Sequence, residues 1–154
     1  METRKLTLSE LTVGQTDSIE VDVSIEHVDK FLDVSGDHSP IHVDEVFAKE
    51  RGLGGRIAHG LLIGSFVSQL IGIRLPGCYG IMQSFEIGFR KPVVPPETIR
   101  IKGEIFNISS STGQVTIKVS VVGSLGDLIA TAKVKTIVAE GKSRYISLLE
   151  EKVL

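Results

Sequence analysis

Cysteine is nearly absent from this chain: Cys78 is the single one among 154 residues. One thiol excludes an internal disulfide and a cysteine-rich zinc site. An excess of positive charge is also missing. The 17 Lys+Arg against 19 Asp+Glu leave a net charge of -2, with nothing over to neutralise a phosphate backbone, so nucleic acid is not an expected partner. No long hydrophobic run occurs either. The longest, around residues 61–73, is interrupted by Gly64, Ser65, Ser68, Gln69 and Gly72 and is too short to span a bilayer, so no membrane association is expected. The N-terminus METRKLTLSE has no apolar signal segment. We therefore expect the mature protein to begin here and to stay in a reducing, cytoplasmic compartment. The 42% hydrophobic and 23% charged residues that are present leave no case for disorder. The length suits one domain and hardly two.

Ile19, Val21, Val23 and Ile25 fall on one face and Glu20, Asp22 and Ser24 on the other, the period of a half-buried strand. The period then changes. Val28, Phe31, Leu32 and Ser35 recur at helical spacing, and Gly36 stands where a helix ends in a left-handed residue. Asp37-His38-Ser39-Pro40 reads as a polar bend, because Pro40 forbids a helix that continues through it. Asp44 is placed to cap a second short helix carrying Val46, Phe47 and Ala48, stopped near Gly52.

Gly60 to Arg74 differs in kind. Leu61, Leu62, Ile63, Phe66, Val67, Leu70, Ile71 and Ile73 place large apolar groups nearly all round a helix, which predicts burial on most sides. Gly64, Ser68 and Gly72 at i, i+4 and i+8 draw a stripe of small residues that would let the helix lie close to a sheet or a ligand. Pro76-Gly77 ends it. From Tyr79 onward the chain alternates. The faces are Ile81, Phe85, Ile87 and Phe89, then Ile99, Ile101 and Ile105 after a run of prolines, then Val115, Ile117, Val119 and Val121. Leu128, Ala130, Ala132, Val134 and Val138 follow the Gly126-Asp127 turn. The order is one strand, helices, then four consecutive antiparallel strands. An α+β domain satisfies it, with a single sheet wrapped around the one helix apolar enough to cover its inner face. Residues 142–154 have weak helical periodicity (Ile146, Leu149, Val153) and are expected to dock on a neighbour or fray.

Of the four histidines, His38, His42 and His59 lie in or beside the two segments least like scaffold. In Ser35-Gly36-Asp37-His38-Ser39-Pro40-Ile41-His42, Gly36 allows a sharp exit and Pro40 holds its own φ, so Asp37 and His42 can face one space. A carboxylate beside an imidazole is what taking a proton from water and giving one to carbon requires. Taken by spacing alone, a turn Asp bonded to its own backbone and a satisfied His are the commoner outcome. A metal held by Asp37, His42 and His59 has no His-x-x-x-His or Cys pair behind it. The second segment, Gly54-Gly55-Arg56-Ile57-Ala58-His59-Gly60, leads into the apolar helix, whose first N–H groups are unpaired and whose dipole is positive there. Gly60 would leave its amide open as an oxyanion site, or would serve close helix–sheet packing.

These residues resemble a known family. Phe31 to His42, followed by Ala48, is similar to the signature of (R)-specific enoyl-CoA hydratases, the MaoC-like dehydratases with a hot-dog fold. Ile57-Ala58-His59-Gly60-Leu61-Leu62 resembles that family's approach to its central helix, and Phe85 to Val93 its following strand. The resemblance covers roughly residues 12–139. It implies a single hot-dog domain over 1–154, an antiparallel five-stranded sheet around a buried helix with short helices inserted after the first strand, and a tail from about 140. By resemblance, Asp37 and His42 are the dyad that activates water for syn addition to a trans-2-enoyl thioester. Gly60 is the residue whose N–H holds the thioester oxygen. Ser39 stands where the family often has Asn, keeping a hydroxyl and losing the amide donor.

The acyl chain would then run along the helix beside Gly64, Ser65 and Ser68, with Phe66 and Ile71 closing the far end. Arg56, Arg90 and Lys91 would meet coenzyme A phosphates. The resemblance implies an acyl-CoA thioester substrate, no metal, no cofactor beyond the coenzyme A of the substrate, and a homodimer or higher homo-oligomer paired through sheet edges. Three alternatives stay open: an acyl-carrier-protein dehydratase, an acyl-CoA thioesterase, and a non-catalytic thioester-binding subunit.

Overall fold

The computed structural model, which describes residues 2–139, resolves the alternating segments into β1 Thr16–Val23, β2 Gly80–Phe89, β3 Glu97–Ser109, β4 Gln114–Gly123 and β5 Leu128–Val138. Between β1 and β2 lie the helices α1 Ile25–Ser35, α2 Pro40–Val43, α3 Glu45–Glu50 and α4 Gly60–Ile73. The tail expected from about 140 lies outside the described residues. The strands form one antiparallel sheet in the order β1-β3-β4-β5-β2. Its inward face is made by the alternating residues expected to make it: Ile19, Ile99, Ile101, Ile105, Ile117, Val121 and Val134 are all buried. They pack with Leu62, Ile63, Val67, Leu70 and Ile71 of α4 in one core. The fold is the expected sheet wrapped around a helix.

Four local features differ from the sequence reading, each for a physical reason. Ile25 is not on the strand face; it is the first residue of α1 and is exposed, because the Ser24 hydroxyl accepts the His27 N–H and caps the helix there. Pro40 does not merely end a helix but begins α2, at a position whose N–H would have no partner in any case. The strand β2 pairs with β5, with Phe85 opposite Val134, and not with β3. Pro92, Pro95 and Pro96 cannot donate to a ladder, so the chain crosses the sheet end before β3 pairs with β1.

Finally, α4 is not buried all round. Leu61, Ser65, Ser68 and Gly72 form an exposed stripe at helical spacing. The small residues accordingly serve different ends. A Cβ on Gly64 would come within 3.1 Å of the Phe85 ring, whereas one on Gly72 would meet nothing within 4 Å. Residues before the expected core also contribute: the Arg4 N–H donates to the Ile73 carbonyl and the Cys78 N–H to the Arg4 carbonyl. Arg4 and Arg74 both pair with the Asp17 carboxylate, whose side chain is nearly buried.

Candidate active site

The site is built where the α1–α2 bend meets the segment leading into α4. Gly36 closes α1 at φ 69°, where a side chain would be strained. The Ser39 N–H then donates to Asp37 Oδ1 at 3.1 Å, which tightens the bend and leaves Asp37 exposed. Two residues after Pro40, His42 is turned inward and is only 7% exposed.

The irregular stretch 56–59, just before α4, acts as a template against which this bend is held. The Ile57 N–H donates to the Ile41 carbonyl, and the Ile57 carbonyl accepts from His42 Nδ1 at 2.8 Å. A carbonyl can only accept, so in neutral His42 the proton sits on Nδ1 and the Nε2 lone pair is left for other work. Arg56 Nε donates to the His42 carbonyl at 2.6 Å, and its guanidinium also pairs with Asp29 of α1. Arg56 was expected to face coenzyme A phosphates. Its bonds instead fasten α1 and α2 together, and its side chain is 19% exposed. His59 Nε2 donates to the Asp37 carbonyl at 2.9 Å, and the His59 ring stacks on His42 with centroids 3.7 Å apart. One donor or acceptor atom each from Asp37, His42 and His59 falls within 4.8 Å of the others.

Gly60 opens α4, and its N–H has no acceptor among the described residues. The Phe89 ring lies against it: a Cβ at Gly60 would be 2.9 Å from that ring. Glycine therefore allows the close packing, and its N–H stays unpaired among the described residues. A cavity of about 410 Å³ lies here, lined by His42, Gly60, Ile63, Phe89 and Ile129 with Arg90 and Lys91 at its side. A larger depression of about 720 Å³ over strands β2–β5 is lined by Lys102, Lys118, Lys133, Glu86 and Glu104. No histidine lines it, whereas His42 lines the smaller cavity.

Asp37 is thus brought to His42, and His42, Gly60, Arg90 and Lys91 line one cavity, whose lining does not include Asp37. Ser39 is the N-cap of α2, with no bond from its hydroxyl to that helix. Four other residues lie apart from this cavity. Ser65 and Ser68 are on the exposed stripe of α4, with Ser65 Oγ donating to the Leu62 carbonyl. Phe66 is half-buried with its ring edge-on to His27, and Ile71 is in the core. Lys91 is in an ion pair with Asp127 at 2.7 Å, whereas Arg90 is exposed with no ion pair among the described residues. Sequence reasoning missed Phe89 and Ile63 as cavity walls, because strand alternation and helix periodicity mark burial and not what is buried against what.

Asp37, His42 and His59 are also close enough to be considered as metal ligands. A carbonyl on one nitrogen leaves the other free on each ring, but the rings stack 25° from parallel, which sets those nitrogens in two separate planes and does not favour one tetrahedral centre.

Glu45 ties α3 to the same template. Its carboxylate is held below the ordinary range by Lys49 foremost and then by the Arg56 N–H. A depressed folded-state value means that the contribution is present above the unfolded pKa and is lost as pH falls through the folded one. In a carboxylate-detected NMR titration, Lys49→Ala should move the Glu45 midpoint back up; an unchanged midpoint would remove Lys49 as the cause.

An antiparallel sheet curved around one long helix, with the site at the start of that helix, defines a hot-dog domain. The chain belongs to the MaoC-like domain family, whose model matches residues 10–124. It is similar to the 3-hydroxybutyryl-CoA dehydratase of Methylorubrum extorquens, 36% identical over 104 residues that cover 68% of this chain and 66% of that one. It is 35% identical over 86 residues to the (R)-specific enoyl-CoA hydratase of Rhodospirillum rubrum, covering 56% of this chain and 60% of the other. The chain thus spans less than two thirds of the length of either relative. Among solved structures, the unliganded R-hydratase PhaJ1 of Pseudomonas aeruginosa superposes with a TM-score of 0.83 at 26% identity, over 88% of this chain and 87% of that one.

Proposed function

We propose that this protein is an (R)-specific enoyl-CoA hydratase, equally a 3-hydroxyacyl-CoA dehydratase, a hydro-lyase that adds water reversibly and syn to a trans-2-enoyl-CoA. The observation that carries the reading is the Asp37 carboxylate and the His42 imidazole within 4.8 Å of one another, with the unpaired Gly60 N–H on the same apolar cavity as His42. In this reading a water is held between Asp37 and His42 Nε2. Its oxygen bonds to C3 of the enoyl thioester while its proton passes to the dyad. The C2–C3 π pair moves toward the thioester carbonyl, and the Gly60 N–H stabilises the enolate oxygen that forms. A proton from the dyad then adds to C2 on the same face, so water is added in full and the enzyme is restored. A donor in place before the charge appears is worth about 2.7–4 kcal/mol of barrier. The reaction needs no metal, and no cofactor beyond the coenzyme A carried by the substrate. Arg90, exposed beside the cavity, is the better candidate of the two basic residues for its phosphates.

Purified protein given crotonyl-CoA and longer enoyl-CoA substrates should bleach the enoyl absorbance and yield the (R)-3-hydroxyacyl product. Release of free thiol with no 3-hydroxyacyl-CoA formed would mark a thioesterase, and thioester binding without turnover a non-catalytic subunit. Turnover of enoyl-acyl carrier protein alone would mark the carrier-protein variant.

The open edge of β2 supports a homodimer, because an unpaired edge strand is relieved by pairing with a second copy. Light scattering should give twice the 16.7 kDa chain mass. Ile81→Lys on that edge strand should shift the protein toward monomer, and a variant still fully dimeric would remove β2 from the interface.

A further inference from the structure

We propose that His59 is a positioning residue of the Asp37–His42 pair, holding both members from one buried ring; this rests on the hydratase reading of the site. No other described side chain both hydrogen-bonds to Asp37 and stacks on His42. Its Nε2–H donates to the Asp37 main-chain carbonyl at 2.9 Å, which fixes the bend that carries the carboxylate. Its face covers the His42 ring at 3.7 Å and 25°, so His42 cannot tilt away from the Ile57 carbonyl without first breaking that stack. Phe31 of α1 meets the His59 ring with centroids 5.0 Å apart and the rings tilted by 50°.

The burial of this ring argues against a merely structural role. His59 is 3% exposed and its Nδ1 is buried with no hydrogen-bond partner. A buried polar atom left unpaired is costly, so a purely apolar ring would serve packing better here. What histidine adds over phenylalanine is the Nε2–H toward Asp37, and what it adds over glutamine is the stacking face toward His42. Both additions act on the two residues that must share one water. A misplacement of about 1 Å in such a pair can cost on the order of 10²-fold in rate.

Two variants separate the two contacts. His59→Phe keeps the stack and removes both the donor and the orphaned nitrogen. It should melt no lower than wild type by more than a few degrees and should keep the His42 15N pattern of a single Nδ1–H tautomer. Its kcat for enoyl-CoA hydration should nevertheless fall about 10- to 100-fold, with KM within about threefold. His59→Gln keeps an N–H for the Asp37 carbonyl but loses the ring, so its His42 15N signals should average between tautomers and its kcat should fall less. Wild-type kcat in both variants, together with an unaltered His42 pattern in His59→Gln, would overturn the proposal whatever happens to Tm. The 15N measurement needs no substrate. If wild type turns over no enoyl thioester the hydratase reading fails, and the His42 pattern in His59→Gln alone still decides whether His59 positions that ring.

Discussion

His42→Gln is expected to lower the rate of crotonyl-CoA hydration by about 10²–10⁴-fold, the usual worth of a positioned general base. Far-ultraviolet circular dichroism should stay that of the wild type. The reason is local. His42 sits in a four-residue helix held by the Ile57 N–H to the Ile41 carbonyl and by Arg56 to the His42 carbonyl, so the main chain has its own supports. A glutamine amide at position 42 could still donate to the Ile57 carbonyl that now receives His42 Nδ1. What it cannot supply is a ring nitrogen that takes up a proton and returns it. Asp37→Asn should fall by a similar factor, since it keeps an oxygen to accept the Ser39 N–H and loses the charge. The two losses should not add, because both act on one water. A double variant slowed by the product of the single factors would mean that Asp37 and His42 act separately.

Leu70→Ala should cost about 2–5 kcal/mol of stability, the usual loss for a large aliphatic truncated in a core. For a chain of this length that is roughly 4–20 °C in Tm. Leu70 is fully buried, and a Cβ on Gly103 of β3 would come within 3.1 Å of its Cδ2. The glycine in β3 thus makes room for this side chain, and a hole left at Leu70 has a strand rather than a mobile side chain on its far side. Collapse into it is correspondingly restricted. Leu70 lies toward the opposite end of α4 from Gly60, so kcat of the folded protein should change little. Val34→Ala, on the exposed face of α1, is the control and should stay within about 0.5 kcal/mol. Equal losses in the two variants by urea denaturation would contradict the burial assigned to Leu70.

The inner face of each strand could be read from alternation because the side-chain period of a strand is two whatever its partner. Gly36 as a left-handed helix end and Asp44 as a cap were legible for a similar reason. Each answers a local need of the backbone, and the Asp44 carboxylate does accept the Val46 and Phe47 N–H groups. Asp37, His42 and Gly60 were legible as candidates because their spacing and their glycine and proline neighbours restrict the bend.

Partnership was decided in three dimensions. Nothing in the alternation says that β2 pairs with β5, since that follows from where the proline-rich linker carries the chain. Nor does charge say that Arg56 faces inward. Its guanidinium meets Asp29, twenty-seven positions earlier, only because α1 folds back against the segment before α4. The sequence marks His59 by its place at the entry to α4 but not the contacts it makes, which exist because the stretch before α4 lies alongside α2. Local chemistry along the chain determined which residues could form strands, caps and a bend bearing an acid and a base. Tertiary packing alone determined that the bend rests on a template, that one ring touches both groups, and that most of α4 turns to the sheet while one stripe stays open. Such contacts join residues distant in sequence, and no periodicity encodes them.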